Sequence, residues 1–272
     1  MKMRSLADKG EILAVLETDR IYAAYAIGDL VPGLFEQCRW SIAENDTGAC
    51  ALTMTFAGFE PPALFIMGST DGLQALFRQG TCPLAAYVTM RPEHMDVVSG
   101  VYHMTGSRHM WRMSVDRQTF QPVCRPTVRL HAGDIAALNT LYAWGGGAFF
   151  ADYQLEQGVY YAAQVDGQLV AAAGTHVVAP EYNIAAVGNV YTHPRFRNRG
   201  FATACTSAVV AELLDRGCST VVLSVWQDNA PAIHAYHKLG FRVHCPFIET
   251  RGQVKSGIAQ LSTLLRRRLI NG

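Results

Sequence analysis

One succession of elements constrains the fold of this chain most strongly: an apolar strand, a basic turn with a glycine, an amphipathic helix and a β-branched strand. We predict the strands over residues 185–192 and 220–225 and the helix over residues 201–216. Apolar residues at positions 202, 205, 209 and 213 give the helix one face that can pack on a sheet, and Gly217 ends it. Such a crossover is right-handed and joins parallel strands, so the helix begins at one edge of the sheet.

Further elements surround this crossover. Asp166-Gly167 is typical of a hairpin turn between two strands. The segment from Trp144 to Phe150 holds three glycines and three aromatic residues, which suit a hinge and core or the wall of an acceptor pocket equally well. The remaining predicted elements are a strand over 127–131, a helix from residue 135 after the cap at 133–134, a short helix ending at 157, strands over 159–165 and 169–178, a helix over 229–239, a strand over 241–248 and a tail helix over 258–269.

The preceding half has a similar order of elements. Pro122 and Pro126 lie in a segment, residues 119–126, that opposes both helix and central strand and therefore reads as a linker. Before it we predict a helix over 12–30 with a possible break at 23–26, strands over 38–43, 49–56 and 63–67, a helix over 73–79, a strand over 85–89, a short helix over 92–98 and a strand within 109–115. Both halves then run β-β-β-α-β-α-β. The order predicts two domains in tandem, residues 1–124 and 125–272, in an α/β (α+β) fold.

Composition excludes several classes. The net charge of +1 gives no support to nucleic acid as a partner. The seven cysteines are scattered without a Cys-x-x-Cys pair, so we expect reduced thiols and no metal site. No apolar run approaches the ~18 residues of a membrane span, and no apolar segment follows the first charged residues. These features predict a cytoplasmic protein with no membrane partner, and they leave the oligomeric state undetermined.

The basic turn suits an anion. Arg195, Arg197 and Arg199 raise the local positive potential, and the first turn of a helix offers unpaired backbone N–H groups. Gly200 lets the backbone approach a ligand closely. The alternative is an ordinary exposed loop with incidental arginines.

A second segment decides between these interpretations. Residues 229–241 hold Asn229, Ala232, Tyr236 and Gly240-Phe241 at fixed offsets, with Asp228 or Asn229 as a helix cap. Together with the run from Arg197 to Ala202, this segment resembles the GNAT superfamily of N-acetyltransferases. The match covers roughly residues 125–250. The runs 169–176 and 188–194 are similar to a subgroup related to glycine N-acyltransferases, whose members carry a degenerate N-terminal GNAT-like half.

The resemblance implies a fold, a cofactor and a set of site residues. Each unit would be a mixed, centrally splayed sheet flanked by helices. Acetyl-CoA, as co-substrate, would give an acyl group to a primary amine, a small molecule or amino acid. Tyr236 would protonate the departing CoA thiolate, and a backbone N–H of the splayed strand would stabilise the oxyanion. The implied cofactor-binding residues are Val190, Tyr191 and Thr192 for the pantetheine edge, Arg197, Asn198, Arg199, Gly200, Phe201 and Ala202 for the pyrophosphate, and Asn229 for the pantetheine.

One departure leaves deprotonation of the amine open. Many relatives place a glutamate where this chain has Gly188 and Asn189, neither of which is a base. His176 and Glu181 are candidates of equal standing, and an amine that arrives neutral would need no strong base. The missing carboxylate also motivates an alternative, a CoA-binding sensor without turnover. A further alternative is acetylation of a protein partner that docks on the first unit.

Overall fold

The computed structural model describes residues 1–80, 82–145 and 150–255 of the 272-residue chain. Its backbone contacts form two compact units. Unit one comprises Met1–Met110 and the described residues from Pro246 onward, and unit two comprises Trp111–Cys245. The predicted division at 124/125 differs from this grouping; as a boundary between domains that fold independently, it stays a prediction. The segment 120–127 has no regular secondary structure and lies within unit two, so its role as a linker between two domains stays a prediction.

Unit one is a mixed sheet with short helices. Its elements in chain order are β1 (Lys2–Leu6), α1 (Lys9–Leu16), α2 (Ala24–Gly28), β2 (Cys38–Asn45), β3 (Gly48–Phe56), β4 (Ala63–Gly68), α3 (Thr70–Arg78), β5 (Ala85–Met90), α4 (Met95–Val101) and β6 (Tyr102–Asp116). The last strand of the chain, β12 (Arg242–Val254), also contributes to this unit. The strands follow the spatial order β1-β2-β3-β4-β5-β12-β6, with residues 102–110 of β6 and the end of β12 inside this unit.

The helix predicted over residues 12–30, with a possible break at 23–26, is wrong in its bounds, because the break lies over residues 17–23. The chain leaves the helix after Leu16, passes through a 3-10 turn over Glu17–Asp19 and re-enters a helix at Ala24. Tyr22, in the break, is 1% exposed, and its hydroxyl donates to the Ile66 carbonyl at 2.9 Å. Burying this ring and its hydrogen bond redirects the chain, which local helix propensity does not anticipate. Strand β1 was not predicted, and β6 is longer than expected.

Unit two repeats the element order of unit one. Its spatial strand order is β12-β6-β11-β10-β9-β8-β7, with residues 111–116 of β6 and 242–245 of β12 inside the unit. Its further elements are β7 (Val128–Arg129), α5 (Ile135–Ala143), α6 (Asp152–Gln157), β8 (Tyr161–Val165), β9 (Gln168–Ala179), β10 (Ile184–Thr192), α7 (Phe201–Asp215), β11 (Thr220–Trp226), α8 (Ala230–Lys238) and β12 (Arg242–Val254).

The predicted strand–helix–strand crossover is confirmed in unit two, where α7 connects β10 to β11. Strands β10 and β11 are parallel neighbours, and β9 pairs antiparallel with β10. Cys205, Val209 and Leu213 of α7 are 0% exposed and belong to the main apolar cluster of the unit. Burial of each such side chain contributes about 1.5–3 kcal/mol. The hairpin turn at 166–167 is also confirmed, with both residues at positive φ.

Parts of two predictions fall outside the described residues. These are the tail helix over 258–269 and residues 146–149 of the segment between α5 and α6. In the part of the chain that the structure describes, no helix is both long and apolar enough to cross a membrane.

Candidate functional site

The parallel strands of unit two separate part-way along their length. Their ladder runs from Ile184 beside Thr220 to Val187 beside Leu223 and ends there, although β10 continues to Thr192. Beyond that point β10 keeps only its partner on the other side, β9. The edge of residues 188–192 that faces away from β9 therefore has backbone groups outside the strand ladder, which an extended ligand can use.

A bulge marks the point of separation. The register between β9 and β10 shifts between Gly188 and Tyr191, and Asn189 has a left-handed backbone with φ 51. Asparagine is among the few residues other than glycine that adopt this conformation readily. The Tyr142 hydroxyl of α5 donates a hydrogen bond to the Asn189 carbonyl. Residues 190–192 are half-buried in this stretch.

The basic turn leads from this edge to the start of α7. A 3-10 turn over Pro194–Phe196 is followed by Asn198 at φ 61 and Gly200 at φ 79. Gly200 is the N-cap of α7, and no side chain of the described residues caps this helix. The first N–H groups of a 15-residue helix, without intrahelical partners, therefore point toward an exposed turn. This is the arrangement that binds phosphate groups elsewhere.

Four arginines surround the turn. Arg195, Arg197 and Arg199 are exposed, and none of them, nor Arg125, pairs with a carboxylate among the described residues. Arg125 donates to the Arg199 carbonyl, and its guanidinium lies 5.2 Å from the centre of the Phe201 ring. Arg125 was not predicted at this turn, because it lies in the segment 119–126, far from the turn in sequence. The fold brings its charge to the same helix end.

The two singled-out residues of α8 have defined local roles. Asn229 caps the helix, because its Oδ1 accepts from the Ala232 N–H at 3.3 Å. Tyr236 is 8% exposed and packs in the core, with its ring 5.9 Å from that of Phe241. Tyr142, which contacts Asn189, interacts electrostatically with Tyr236, and burial raises the pKa of Tyr142 well above its ordinary value. Tyr236 is thus a core residue of unit two.

A chain of hydrogen bonds links β9 to β10 beside the separation. The Tyr160 hydroxyl donates to the Thr175 carbonyl at 3.2 Å and lies 2.9 Å from Asn189 Nδ2. The other amide atom of this asparagine, Oδ1, is 3.2 Å from His176 Nε2. Tyr160 is 1% exposed, whereas His176 is solvent-accessible. Neither Tyr142 nor Tyr160 was predicted at the site, since both lie outside the two motifs that carry the resemblance.

The structure separates the two candidate bases. Glu181 lies in the 3-10 turn Pro180–Tyr182 that precedes β10, at the end of this strand away from the separation. His176 lies beside the strand separation, because the residue before it in β9, Thr175, pairs with Val187, and Val187 is the last β10 residue of the parallel ladder. His193 accepts from the Arg195 N–H and packs on Trp144, so it belongs to the turn. Among the described residues, no group of three or more His, Cys, Asp or Glu side chains could hold a metal ion.

The comparisons with known proteins agree with this geometry. Residues 131–241 match the family model described as "Acetyltransferase (GNAT) family". The mycothiol acetyltransferase of Tsukamurella paurometabola is 38% identical over 81 residues, 30% of this chain and 28% of that protein. The [ribosomal protein bS18]-alanine N-acetyltransferase of Escherichia coli K12 is 34% identical over 92 residues, 34% of this chain and 60% of that protein. The chain thus spans from about a quarter to 60% of the length of these relatives.

Solved structures support the fold over a longer stretch. The GCN5-related N-acetyltransferase from Kribbella flavida has a TM-score of 0.60 and 16% identity, covering 89% of this chain and 97% of that one. A tandem GNAT protein from the clavulanic acid biosynthesis pathway has a TM-score of 0.51 and 12% identity, covering 94% of this chain and 100% of that one. At these identities the likeness concerns the fold, two GNAT-like units in tandem. Residues 131–241, which hold the separated parallel strands and the basic turn, are thus the part of the chain that is similar to the GNAT acetyltransferase family.

Proposed function

We propose that the chain is an N-acyltransferase that moves an acetyl or other short acyl group from acyl-CoA to a primary amine. The observation that carries this proposal is the strand separation after Val187 and Leu223, continuous with a glycine turn and an uncapped helix end among four arginines. An open strand edge suits an extended amide-containing arm, and the helix end suits a pyrophosphate. Acetyl-CoA carries both groups in one molecule.

The proposed cofactor contacts follow the backbone from the strand into the helix. Val190, Tyr191 and Thr192 would bond the pantetheine amides. The side chain of Asn229 uses Oδ1 for its cap, so its Nδ2 would donate to the pantetheine. The pyrophosphate would rest on the backbone N–H groups of the turn, formed by Arg197, Asn198, Arg199, Gly200, Phe201 and Ala202.

The proposed chemistry is direct attack of the amine in a ternary complex. Tyr236 would give its proton to the leaving sulfur, and a backbone N–H of the separated β10 would stabilise the oxyanion. A covalent route through the nearby Cys205 is disfavoured, because burial raises the pKa of its thiol to about 12. A thiol with such a pKa supplies little thiolate at neutral pH.

For the acceptor we propose a small-molecule amine or amino acid. The names of the relatives include both a small-molecule and a protein acceptor, since one refers to mycothiol and the other to an alanine of a ribosomal protein. Acetylation of a protein is therefore the second candidate acceptor class. Placement in the subgroup similar to glycine N-acyltransferases, and a cytoplasmic location, also stay predictions. A sensor that binds CoA without turnover is the non-catalytic alternative, favoured by the absence of a carboxylate at Gly188 and Asn189.

The test combines binding with turnover. Acetyl-CoA binding is measured by calorimetry, and release of free CoA thiol is followed across a panel of small amines, amino acids and peptides with free N-termini. We expect binding and thiol release with at least one small amine. Binding without release on every acceptor would support the sensor, release only with peptides would support protein acetylation, and absence of binding would refute the proposal.

A further inference from the structure

We infer that His176 accepts the proton of the amine, and that Asn189 and Tyr160 position its imidazole for this step. The inference rests on the proposed function and deepens it at the same site. It concerns the stretch of β10 at Gly188 and Asn189, neither of which is a base.

The imidazole fills the space that a side chain at position 188 would take. A Cβ built on Gly188 would overlap Cε1, Nε2 and Cδ2 of the His176 ring. Position 188 is thus held open for a ring that comes from the neighbouring strand β9.

Hydrogen bonding determines the tautomer of this ring. The Thr175 carbonyl can only accept, so the Tyr160 hydroxyl donates its one proton there and accepts from Asn189 Nδ2. The Asn189 amide is thereby oriented with Oδ1 toward His176 Nε2. Because Oδ1 is an acceptor, Nε2 must carry the proton, and the lone pair of the neutral ring is on Nδ1. Nδ1 is the atom that can take a proton.

The ring lies at the point where the strands part. Arg112 of β6 interacts electrostatically with His176, and its Nη1 donates to Ser224 Oγ at 2.7 Å. Ser224 follows Leu223, the last residue of the parallel ladder in β11. His176 is thus within hydrogen-bond distance of Asn189 on β10 and interacts electrostatically with Arg112 of β6, which is hydrogen-bonded to β11. Desolvation by the surrounding protein lowers the pKa of His176, and the hydrogen bond with Asn189 opposes this change. The charge of Arg112 lowers the pKa further, by a smaller amount.

The atoms of the proposed step balance. The amine nitrogen bonds to the thioester carbonyl carbon, and one N–H proton passes to Nδ1 of His176. The C–S bond then breaks with its electron pair on sulfur, which takes a proton from the Tyr236 hydroxyl. Solvent returns a proton from the imidazolium to the phenolate. The products are an amide and free CoA, with the protein unchanged.

The experiment compares His176→Gln with wild type, using thiol release at saturating acetyl-CoA and the best amine of the panel. Glutamine can still donate to Asn189 but has no base. We expect kcat to fall about 100-fold, the contribution typical of general acid–base catalysis, with the Kd for acetyl-CoA unchanged. The acidic limb of the wild-type pH profile, with an apparent pKa below that of a free histidine, should vanish. His234→Gln, on the exposed side of α8, is the matched control and should keep rate and profile.

Two further variants separate catalysis from folding. Gly188→Ala should push the ring aside and lower kcat in a protein with wild-type circular dichroism. Tyr160→Phe should lower kcat less, because it loosens the orientation of Asn189 but leaves the base. Added imidazole should restore part of the rate of His176→Ala. A wild-type rate and acidic limb in His176→Gln would overturn the inference while leaving the proposed function intact. If wild type itself releases no thiol with any amine, the proposed function fails first.

Discussion

Gly200 offers the most discriminating test of the proposed pyrophosphate site. Its backbone is left-handed, with φ 79, and a Cβ there would lie 2.7 Å from Arg125 Nη1. An L-residue in this conformation costs about 1–2 kcal/mol. A valine would therefore favour other conformations of the turn and displace a flexible arginine. If the binding-competent turn becomes less populated by that free energy, acetyl-CoA affinity should fall about 5- to 30-fold.

Gly217 provides a control for this change. It lies just beyond the other end of α7, has φ 93, and a Cβ there meets no atom within 4 Å. Gly217→Val therefore carries the same kind of backbone strain on the same helix without touching the turn. Calorimetric titration with acetyl-CoA should show weak binding only for Gly200→Val, while both variants lose similar thermal stability. Affinity of Gly200→Val within about twofold of wild type, or an equal loss in both variants, would refute the assignment.

Three further predictions address the remaining parts of the account. Tyr236→Phe should lower kcat about 100-fold and leave the calorimetric Kd for acetyl-CoA unchanged; an unaltered kcat would remove this tyrosine from the mechanism. Arg125→Gln should weaken acetyl-CoA binding by about two- to fivefold, as expected for an exposed charge worth about 0.5–1 kcal/mol, and reduce its salt dependence; affinity and salt dependence equal to wild type would contradict a role at the helix end. In unit one, His94 is 1% exposed, accepts from the Arg91 N–H and faces the Gly68 carbonyl, and burial lowers its pKa. As pH falls, the His94 imidazole binds a proton in the unfolded chain before it does so in the folded chain. The free energy of unfolding should therefore decrease as pH falls below about 6.5, by up to about 1.4 kcal/mol per pH unit. Urea titrations should show a smaller decrease for His94→Gln, and an equal dependence on pH in both proteins would contradict the argument.

The elements of unit two could be predicted where local chemistry and packing agree. Helix α7 begins after Gly200 and ends before Gly217, and three of the four residues of its predicted apolar face, Cys205, Val209 and Leu213, are buried. The hairpin at 166–167 likewise depends on residues that suit positive φ. In unit one the helix over 12–30 was wrong because Tyr22, buried by contacts from distant strands, determines where the chain turns.

The site was predictable along the backbone but not across the sheet. The basic turn and the strand before it are contiguous in sequence, so their pattern is visible there. The closeness of Gly188 to the His176 ring depends on the register of β9 against β10, which shifts between Ala186 and Val187 so that His176 has no Cα partner in β10. Arg125 reaches the turn from 74 residues away. Such proximities arise only from tertiary structure.

The most direct measurement is a crystal structure with acetyl-CoA bound. The account predicts pyrophosphate oxygens within hydrogen-bond distance, about 2.7–3.2 Å, of the backbone N–H groups of residues 197–202. It also predicts the pantetheine along residues 190–192 and the thioester at the strand separation, near Asn189 and Tyr236. Clear density for acetyl-CoA elsewhere, with an empty turn, would contradict the central claim.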